Sequence, residues 1–308
     1  MGDAVELLLP APASPRLLRD LLASQAVPGC DDLTGGAHRR PVVVDGAVRT
    51  VTVAWHRLGP AGLPVRIGPG AGAVEPVLHR VRRWLGEGTE SPAADRALSA
   101  HPALAAEVRA WPLVRLPGSP DGFETAVLTV LGQQVSLAAA RTFAGRLLRR
   151  HGTAAADGLT AFPPAARIAA ADPAELQRDV GITTRRARTV HALAVAVRDG
   201  LALDAPPVAA GAPGAEDAAR LRSRLLALPG VGPWTAGAIS LRVLADPDVF
   251  LPQDLVVRRA LGVRTTAAAA ARSAAWRPWR SHAVLRLWAR EAFPDSAGPS
   301  PPGTGGPR

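Results

Sequence analysis

Lysine, asparagine and tyrosine are absent from all 308 residues. Without lysine the chain has no phosphate-gripping P-loop, no internal Schiff-base nucleophile and no kinase-type strand lysine. The other two absences exclude a catalytic tyrosine and a site anchored on asparagine. The single cysteine, Cys30, excludes an intramolecular disulfide, a Cys-rich zinc site and an iron–sulfur cluster, and it fits a reducing compartment. The histidines show no H-E-x-x-H or other zinc spacing, so no catalytic metal is expected. No apolar run is long enough for a membrane helix. Asp3 and Glu6, ahead of a short apolar stretch that Pro10 ends, do not resemble the basic start of a secretion signal. The expectation is a soluble, cytoplasmic protein.

Because lysine is missing, every basic side chain other than histidine is arginine: 36 against 26 acidic residues, a net charge of +10 and a pI near 11.5. Such a balance points to a polyanionic partner, nucleic acid first. A composition rich in Ala, Gly, Pro and Arg explains the same balance by coding bias, and charge alone leaves the two readings even. The mass of 31.8 kDa allows one large domain or two to three ordinary ones. With 47% hydrophobic and 20% charged residues the chain is an ordinary globular one, and 30 glycines with 30 prolines foretell long loops.

Residues 1–90 predict a small α+β unit with an antiparallel sheet. Ser14-Pro15 opens a helix over Arg16 to Ala26. Val42-Val43-Val44, Asp45-Gly46 and the alternation Val48, Val51, Val53, Trp55 predict a hairpin with a two-residue turn. A strand over Leu63 to Ile67 and a basic helix over Val74 to Leu85 follow. Gly68-Pro69-Gly70-Ala71-Gly72 between them is a poor dinucleotide fingerprint, since its third glycine would fall at Ala73 and Pro69 lacks an N–H; a plain loop is expected. From Trp111 the chain reads as successive helices, among them Pro173 to Val180, Thr184 to Asp199, Glu216 to Leu228, Pro233 to Leu244, Leu255 to Leu261 and Ser281 to Ala292. Residues 91–292 are expected to form this helical core in two parts with a cleft between them. Residues 293–308 read as a disordered tail.

The most specific segment is Leu228-Pro229-Gly230-Val231-Gly232-Pro233-Trp234-Thr235-Ala236. One apolar helix face ends there and another begins. The two glycines permit tight reversal, and Pro233 presets the first turn of the second helix. A helix–hairpin–helix of this kind aims orphan N–H groups outward, a ready site for phosphate that is blind to base sequence. An ordinary interhelical corner is the competing reading.

This segment, followed by Asp248-Val249-Phe250-Leu251-Pro252-Gln253-Asp254, resembles the helix-hairpin-helix DNA glycosylases, and within them the bacterial DNA-3-methyladenine glycosylase II family. The same resemblance covers Leu116-Pro117-Gly118, Asp121-x-Phe123-Glu124, Leu131-Gly132-Gln133-Gln134-Val135-Ser136, Trp276-Arg277-Pro278-Trp279-Arg280-Ser281 and Leu287-Trp288. It implies a monofunctional enzyme that hydrolyses the N-glycosidic bond of alkylated purines in duplex DNA after flipping the nucleotide out. On that resemblance Asp254 is the catalytic carboxylate, where local pattern alone suggests a helix N-cap. Trp234, Trp288 and Phe123 become base-pocket residues, with helical core packing the alternative. Gln133 and Gln134 fall on the intercalating loop, Gln134 at the wedge position. Leu228, Gly230, Gly232 and Thr235 form the phosphate-binding hairpin. Arg258, Arg259, Arg277 and Arg280 are further candidates for phosphate contact.

No cofactor is implied, although hairpin carbonyls leave room for a structural monovalent cation. The expected partners are damaged double-stranded DNA and a downstream abasic-site endonuclease, and a monomer is expected. The missing lysine argues against a relative that also cuts the strand, and with the missing cysteine cluster it disfavours an oxidised-base glycosylase. A non-catalytic helix-hairpin-helix DNA-binding module is the alternative from another class.

Overall fold

The computed structural model describes residues 2–155, 158–204 and 215–297. Four strands, β1 (Val5–Leu9), β2 (His38–Val44), β3 (Ala47–Val53) and β4 (Leu63–Ile67), form an antiparallel sheet in the order β1-β4-β3-β2. Asp45 and Gly46 both take positive φ, 50° and 76°, as the tightest hairpin turn requires, and set Val44 opposite Ala47. Val51, Val53, Val65 and Ile67 project from one face onto α2 (Val74–Trp84) and onto Leu18 and Leu22 of α1 (Pro15–Ser24).

The loop after β4 forms a plain connection, held from inside. The buried Arg49 guanidinium donates to the carbonyls of Gly68, Gly70, Ala71 and Gly72 at 2.8–3.3 Å. These carbonyls point inward at a cation, the opposite polarity to a phosphate cradle.

The rest of the described chain is helical apart from a small ladder of Thr153–Ala154 with Thr160–Ala161. Two short helices that lack strong periodicity come first, α3 (Pro92–Ser99) and α4 (Ala105–Ala110). Then follow α5 (Gly122–Leu131), α6 (Leu137–His151), α7 (Ala165–Ala170), α8 (Pro173–Val180), α9 (Thr184–Arg198), α10 (Ala215–Leu226), α11 (Pro233–Leu244), α12 (Leu255–Ala260), α13 (Thr266–Ser273) and α14 (Arg280–Ala292).

Two apolar cores organise these helices. One gathers α5 to α10; the other gathers α3, α4, α12, α13 and α14 with Leu17 and Leu21 of α1. Helix α11 serves both, giving Ala236, Ile239 and Val243 to the first and Ala238 and Leu241 to the second. Because α11 divides its faces this way, the segment entering it lies at the seam between the cores. Arg286, fully buried on α14, donates to Asp95 of α3 at 2.5 Å and to the Trp111 carbonyl at 3.0 Å, tying residues just past 90 to the far end of the chain.

The expected disordered tail is corrected at its start. Phe293 and Ala297 pack on the second core, and Trp111 Nε1 donates to the buried Ser296 hydroxyl at 3.0 Å. Aromatic burial and a satisfied indole N–H hold this turn although its composition reads as loop. Residues 298–308 lie outside the described residues.

Candidate active site

Asp254 precedes α12 in extended conformation and is 8% exposed. Its Oδ1 accepts from the N–H groups of Val256 and Val257 at 2.9 and 3.0 Å, so the N-cap reading holds. Its Oδ2 accepts from Trp234 Nε1 at 2.9 Å. A carboxylate held by three N–H donors is fixed in orientation, and the second lone pair of Oδ2 remains open. The strand-like approach to Asp254 is anchored as well: Val249 N donates to Ser281 Oγ at 3.0 Å, and Gly237 lets Leu251 close on α11, where an added Cβ would stand 2.8 Å from Leu251 Cδ2.

A cavity of about 410 Å³ opens between the two helical cores, within the range of small-molecule sites, and Asp254 adjoins it through its partner Trp234 and its neighbour Val256. Trp234, Trp288, Ala238, Leu241 and Val256 line one side of it, and Leu128, Thr129, Leu137 and Ala140 line the other. Its charged lining is Arg141 and Arg242, with no carboxylate among the lining residues. Trp234 therefore has two contacts that matter: its ring lines the cavity and its N–H holds Asp254.

Phe123 does not join this group. It is 5% exposed, lies in the first helical core and meets Phe162 edge to face at 6.3 Å. Its α5 position turns it inward, so the core-packing alternative describes it. Trp288 is half-buried on α14 and opens on the cavity.

At the hairpin, Gly230 takes φ 83°, and a Cβ there would stand 2.0 Å from Thr189 Oγ1, so both backbone sign and space demand glycine. Gly232 supplies no capping side chain to α11 and Pro233 has no N–H, which leaves first-turn N–H groups facing outward. Leu228 packs on the first core while its carbonyl accepts from Val231 N at 3.2 Å. The Thr235 hydroxyl turns inward and accepts from Gln133 Nε2 at 2.9 Å.

That bond separates the two glutamines of the loop between α5 and α6. Gln133 is drawn into the protein, donating also to the Gly230 carbonyl at 3.2 Å, and its own carbonyl accepts from Arg186 at 2.5 Å. Gln134 is exposed and stands at φ 53°, a left-handed conformation that thrusts it outward. The loop and the Gly230 hairpin are thus one connected unit.

Among the described residues no group of three or more His, Cys, Asp or Glu side chains is placed to hold a metal ion. A hairpin cation would rest on carbonyls, and that of Gly230 already accepts from Gln133. Three of the four candidate arginines have protein partners: Arg280 and Arg277 bind Asp248 at 2.6 and 3.1 Å, and Arg258 donates to the Arg264 carbonyl at 2.7 Å. Arg259 is exposed.

Sequence reasoning missed Arg242. It follows Trp234 and Ala238 at four-residue steps on α11, so a helical projection from Trp234 would have placed it on the same face.

Fold and site together define a helix-hairpin-helix protein with a base-sized cleft and a buried carboxylate at its edge. Residues 127–273 match the model of the HhH-GPD superfamily base excision DNA repair proteins, and residues 5–121 match the AlkA N-terminal domain. Residues 127–273 belong to that superfamily, joined to an N-terminal domain of the AlkA type.

The chain is 39% identical over 283 residues to a probable bifunctional transcriptional activator/DNA repair enzyme AlkA of Mycobacterium tuberculosis, covering 87% of this chain and 53% of that protein. It is 36% identical over 191 residues to DNA-3-methyladenine glycosylase 2 of Escherichia coli K12, covering 61% of this chain and 64% of that one. It thus spans between about half and two thirds of these curated relatives. In fold it is similar to a 3-methyladenine DNA-glycosylase from Archaeoglobus fulgidus, with a TM-score of 0.73 at 19% identity over 94% of this chain and 98% of the other.

Proposed function

We propose that the protein is a monofunctional DNA glycosylase that hydrolyses the N-glycosidic bond of alkylated purines, of the 3-methyladenine and 7-methylguanine type, in duplex DNA. The observation that carries this reading is the pairing of Asp254 with Trp234 at the edge of the tryptophan-lined cavity. The names of the relatives support it, because DNA-3-methyladenine glycosylase 2 of E. coli is 36% identical over the matched residues. The non-catalytic alternative accounts for Oδ1 as a helix cap but gives no reason for Oδ2 held by Trp234 at the edge of a cleft of this size.

In this reading the hairpin N–H groups grip phosphate, Gln134 enters the duplex, and the damaged nucleotide rotates out at a cost of a few kcal/mol. The extruded base stacks on the indoles of Trp234 and Trp288, whose faces attract a cationic ring. A purine alkylated on a ring nitrogen already carries positive charge, so it departs neutral with the bonding electron pair and needs no general acid. The deficit appears at C1′ of the deoxyribose, where the carboxylate of Asp254 stabilises it and orients the water that attacks. This explains one carboxylate where glycoside hydrolysis generally uses two.

Lacking any lysine, the enzyme has no ε-amine for a Schiff base with the sugar, so the strand stays intact and an abasic-site endonuclease takes the product. The same absence argues against an oxidised-base glycosylase that cuts the strand. Residues 91–292 are assigned to the catalytic core and residues 1–90 to a brace for it, acting as a monomer in the cytoplasm.

The test is chromatography of bases freed from methylated duplex DNA by the protein and by Asp254→Asn. Asparagine retains a capping oxygen, so the variant folds and binds DNA. Base release is expected to fall by roughly a hundredfold or more. Unchanged release with binding intact would sink the assignment of Asp254.

A further inference from the structure

The loop between α5 and α6 is anchored at both ends. The Gln133 side chain donates into the hairpin, to the Gly230 carbonyl and the Thr235 hydroxyl, and the Gln133 carbonyl accepts from Arg186 Nη2 at 2.5 Å. At the other end the Ser136 hydroxyl caps α6, accepting from Ala139 N at 3.2 Å. Only Gln134 and Val135 lie between these anchors, and Val135 lines the cavity. Gln134 stands at φ 53°, a conformation that a residue other than glycine keeps only where its surroundings over-determine it. The Gln133 carbonyl belongs to the peptide that enters Gln134, so a donor on that oxygen fixes the plane from which the φ rotation starts.

Arg186 supplies that donor from an unfavourable place. It is half-buried in the first turn of α9, where its N–H donates to the capping Thr183 hydroxyl at 3.3 Å. That position favours an acid, because a cation opposes the helix dipole and a glutamate can return the cap. The arginine instead turns to the loop, its guanidinium over the Phe143 ring of α6 at 5.7 Å and its Nε buried without a partner. What it meets is a ring and a main-chain oxygen, not a carboxylate. One turn further along α9, Thr189 closes on Gly230. Helix α9, the loop and the hairpin therefore form a closed circuit, and Arg186 joins it at the peptide that leads into Gln134.

We infer that Arg186 is a positioning residue that holds Gln134 in its outward pose before DNA arrives, acting through the Gln133 carbonyl. This rests on the reading in which Gln134 enters the duplex. A planar guanidinium lying on a ring donates in a set direction, which an ammonium does not, so the peptide is kept in one plane. Insertion then needs no reordering of the loop, because the ordering is complete before the duplex meets the protein.

The experiment uses the full chain in excess over a duplex with one 7-methylguanine and a 2-aminopurine beside it, whose fluorescence rises when its stack opens. That rise and base release are followed for wild type, Arg186→Met, Gln134→Ala and the double variant, together with binding to undamaged duplex. Arg186→Met is expected to slow both events roughly tenfold while binding undamaged duplex as wild type does. In the Gln134→Ala background the same change should add less than about twofold, because both substitutions act on one contact with the duplex. An effect that persists in full in that background, a parallel loss of affinity for undamaged duplex, or a wild-type rate overturns the inference; the loss of affinity would mark a phosphate contact instead.

Arg186→Lys serves the same comparison should Arg186→Met fail to fold. It keeps the charge and loses the flat, directed donor, so it is expected to slow both events about threefold, and not at all when Gln134 is alanine. A wild-type rate for Arg186→Lys, or slowing that survives in Gln134→Ala, overturns the inference. Gln134→Ala at the wild-type rate defeats the wedge reading and this inference with it, whereas a slow Gln134→Ala beside a wild-type rate for Arg186→Met defeats this inference alone. Wild type releasing no base overturns the glycosylase reading and what rests on it.

Discussion

The two oxygens of Asp254 meet different donors, and the difference separates folding from chemistry. Oδ1 belongs to the helix, accepting from Val256 and Val257, whereas Oδ2 is held only by Trp234 Nε1. Trp234→Phe keeps an aromatic ring in the cavity wall and removes that one donor. A hydrogen bond to a charged group contributes about 1.5–3 kcal/mol, so the rate of base release should fall roughly ten- to a hundredfold if the bond orients the carboxylate for reaction. The melting temperature should fall by several degrees because the same bond is lost from the folded state, while the cap on α12 is untouched and DNA affinity should be retained. Single-turnover kinetics alongside a binding titration checks this. A loss of affinity with an unchanged rate would instead mean that Trp234 acts through stacking alone.

At the scale of elements, α14 combines the cavity residue Trp288 with a buried histidine that makes the helix acid-sensitive. His282 Nε2 donates to the Thr89 carbonyl at 3.1 Å, its Nδ1 is buried without a partner, and Trp279 packs edge-on against it at 5.7 Å. Burial, helped by the nearby Arg286 charge and opposed by the Thr89 bond and Asp95, lowers its pKa from 6.5 to about 4. Between those pH values the unfolded chain binds a proton that the folded chain refuses, so stability falls as pH falls. Urea unfolding at pH 7.5 and pH 5 should show a loss of about 2 kcal/mol in wild type that His282→Gln lacks. The difference between the two proteins isolates this residue from carboxylates titrating in the same range.

Elements also show what could be read without coordinates. The Asp45-Gly46 hairpin, the Gly230 turn and the cap at Asp254 are local events written in a few adjacent residues, and they stand where the sequence places them. Helices α3, α4 and α13 are short and alanine-rich, so their apolar spacing is too weak to stand out; Arg286 and the second core hold α3 in place. Phe123 was beyond local pattern because which face of α5 meets the cleft depends on the packing of both cores, whereas Arg242 was legible from its four-residue spacing once Trp234 was set at the cleft.

For the whole molecule, the question is what the four-stranded sheet adds to the helical core beyond the wall that Leu21, Leu22 and Gln25 of the N-terminal unit give the cavity. Arg40 on β2 reaches Glu124 on α5, with Nη2 at 2.6 and 2.7 Å from the two carboxylate oxygens. Its Nη1 lies 3.3 Å from Asp31, which also accepts from His38 at 2.7 Å and from Val27 N at 2.8 Å, and Trp84 of α2 covers the guanidinium at 5.4 Å. Burial works against every charge here. The pair of carboxylates nonetheless holds Arg40 above its usual pKa, and Arg40 with His38 holds Asp31 below its own; Glu124 stays raised by burial. Burial likewise raises the Cys30 thiol beside them, keeping it protonated and inert. Helix α5 runs from this cluster to Gly132, where the loop bearing Gln133 and Gln134 begins. The sheet therefore fixes the root of the helix that leads into that loop. Glu124→Ala leaves Arg40 buried with half its counter-charge, a change that costs about 3–5 kcal/mol where one partner of a buried pair is removed. Calorimetry should show the melting temperature lowered by on the order of 10 °C in one transition that includes both sheet and helices. The double variant Arg40→Met/Glu124→Met should regain only part of the loss, because it removes the Glu124 pair cleanly but leaves the buried Asp31 without the Arg40 charge. If Glu124→Ala instead produced two separate transitions, the sheet would be an independent unit and the cluster no brace for the loop.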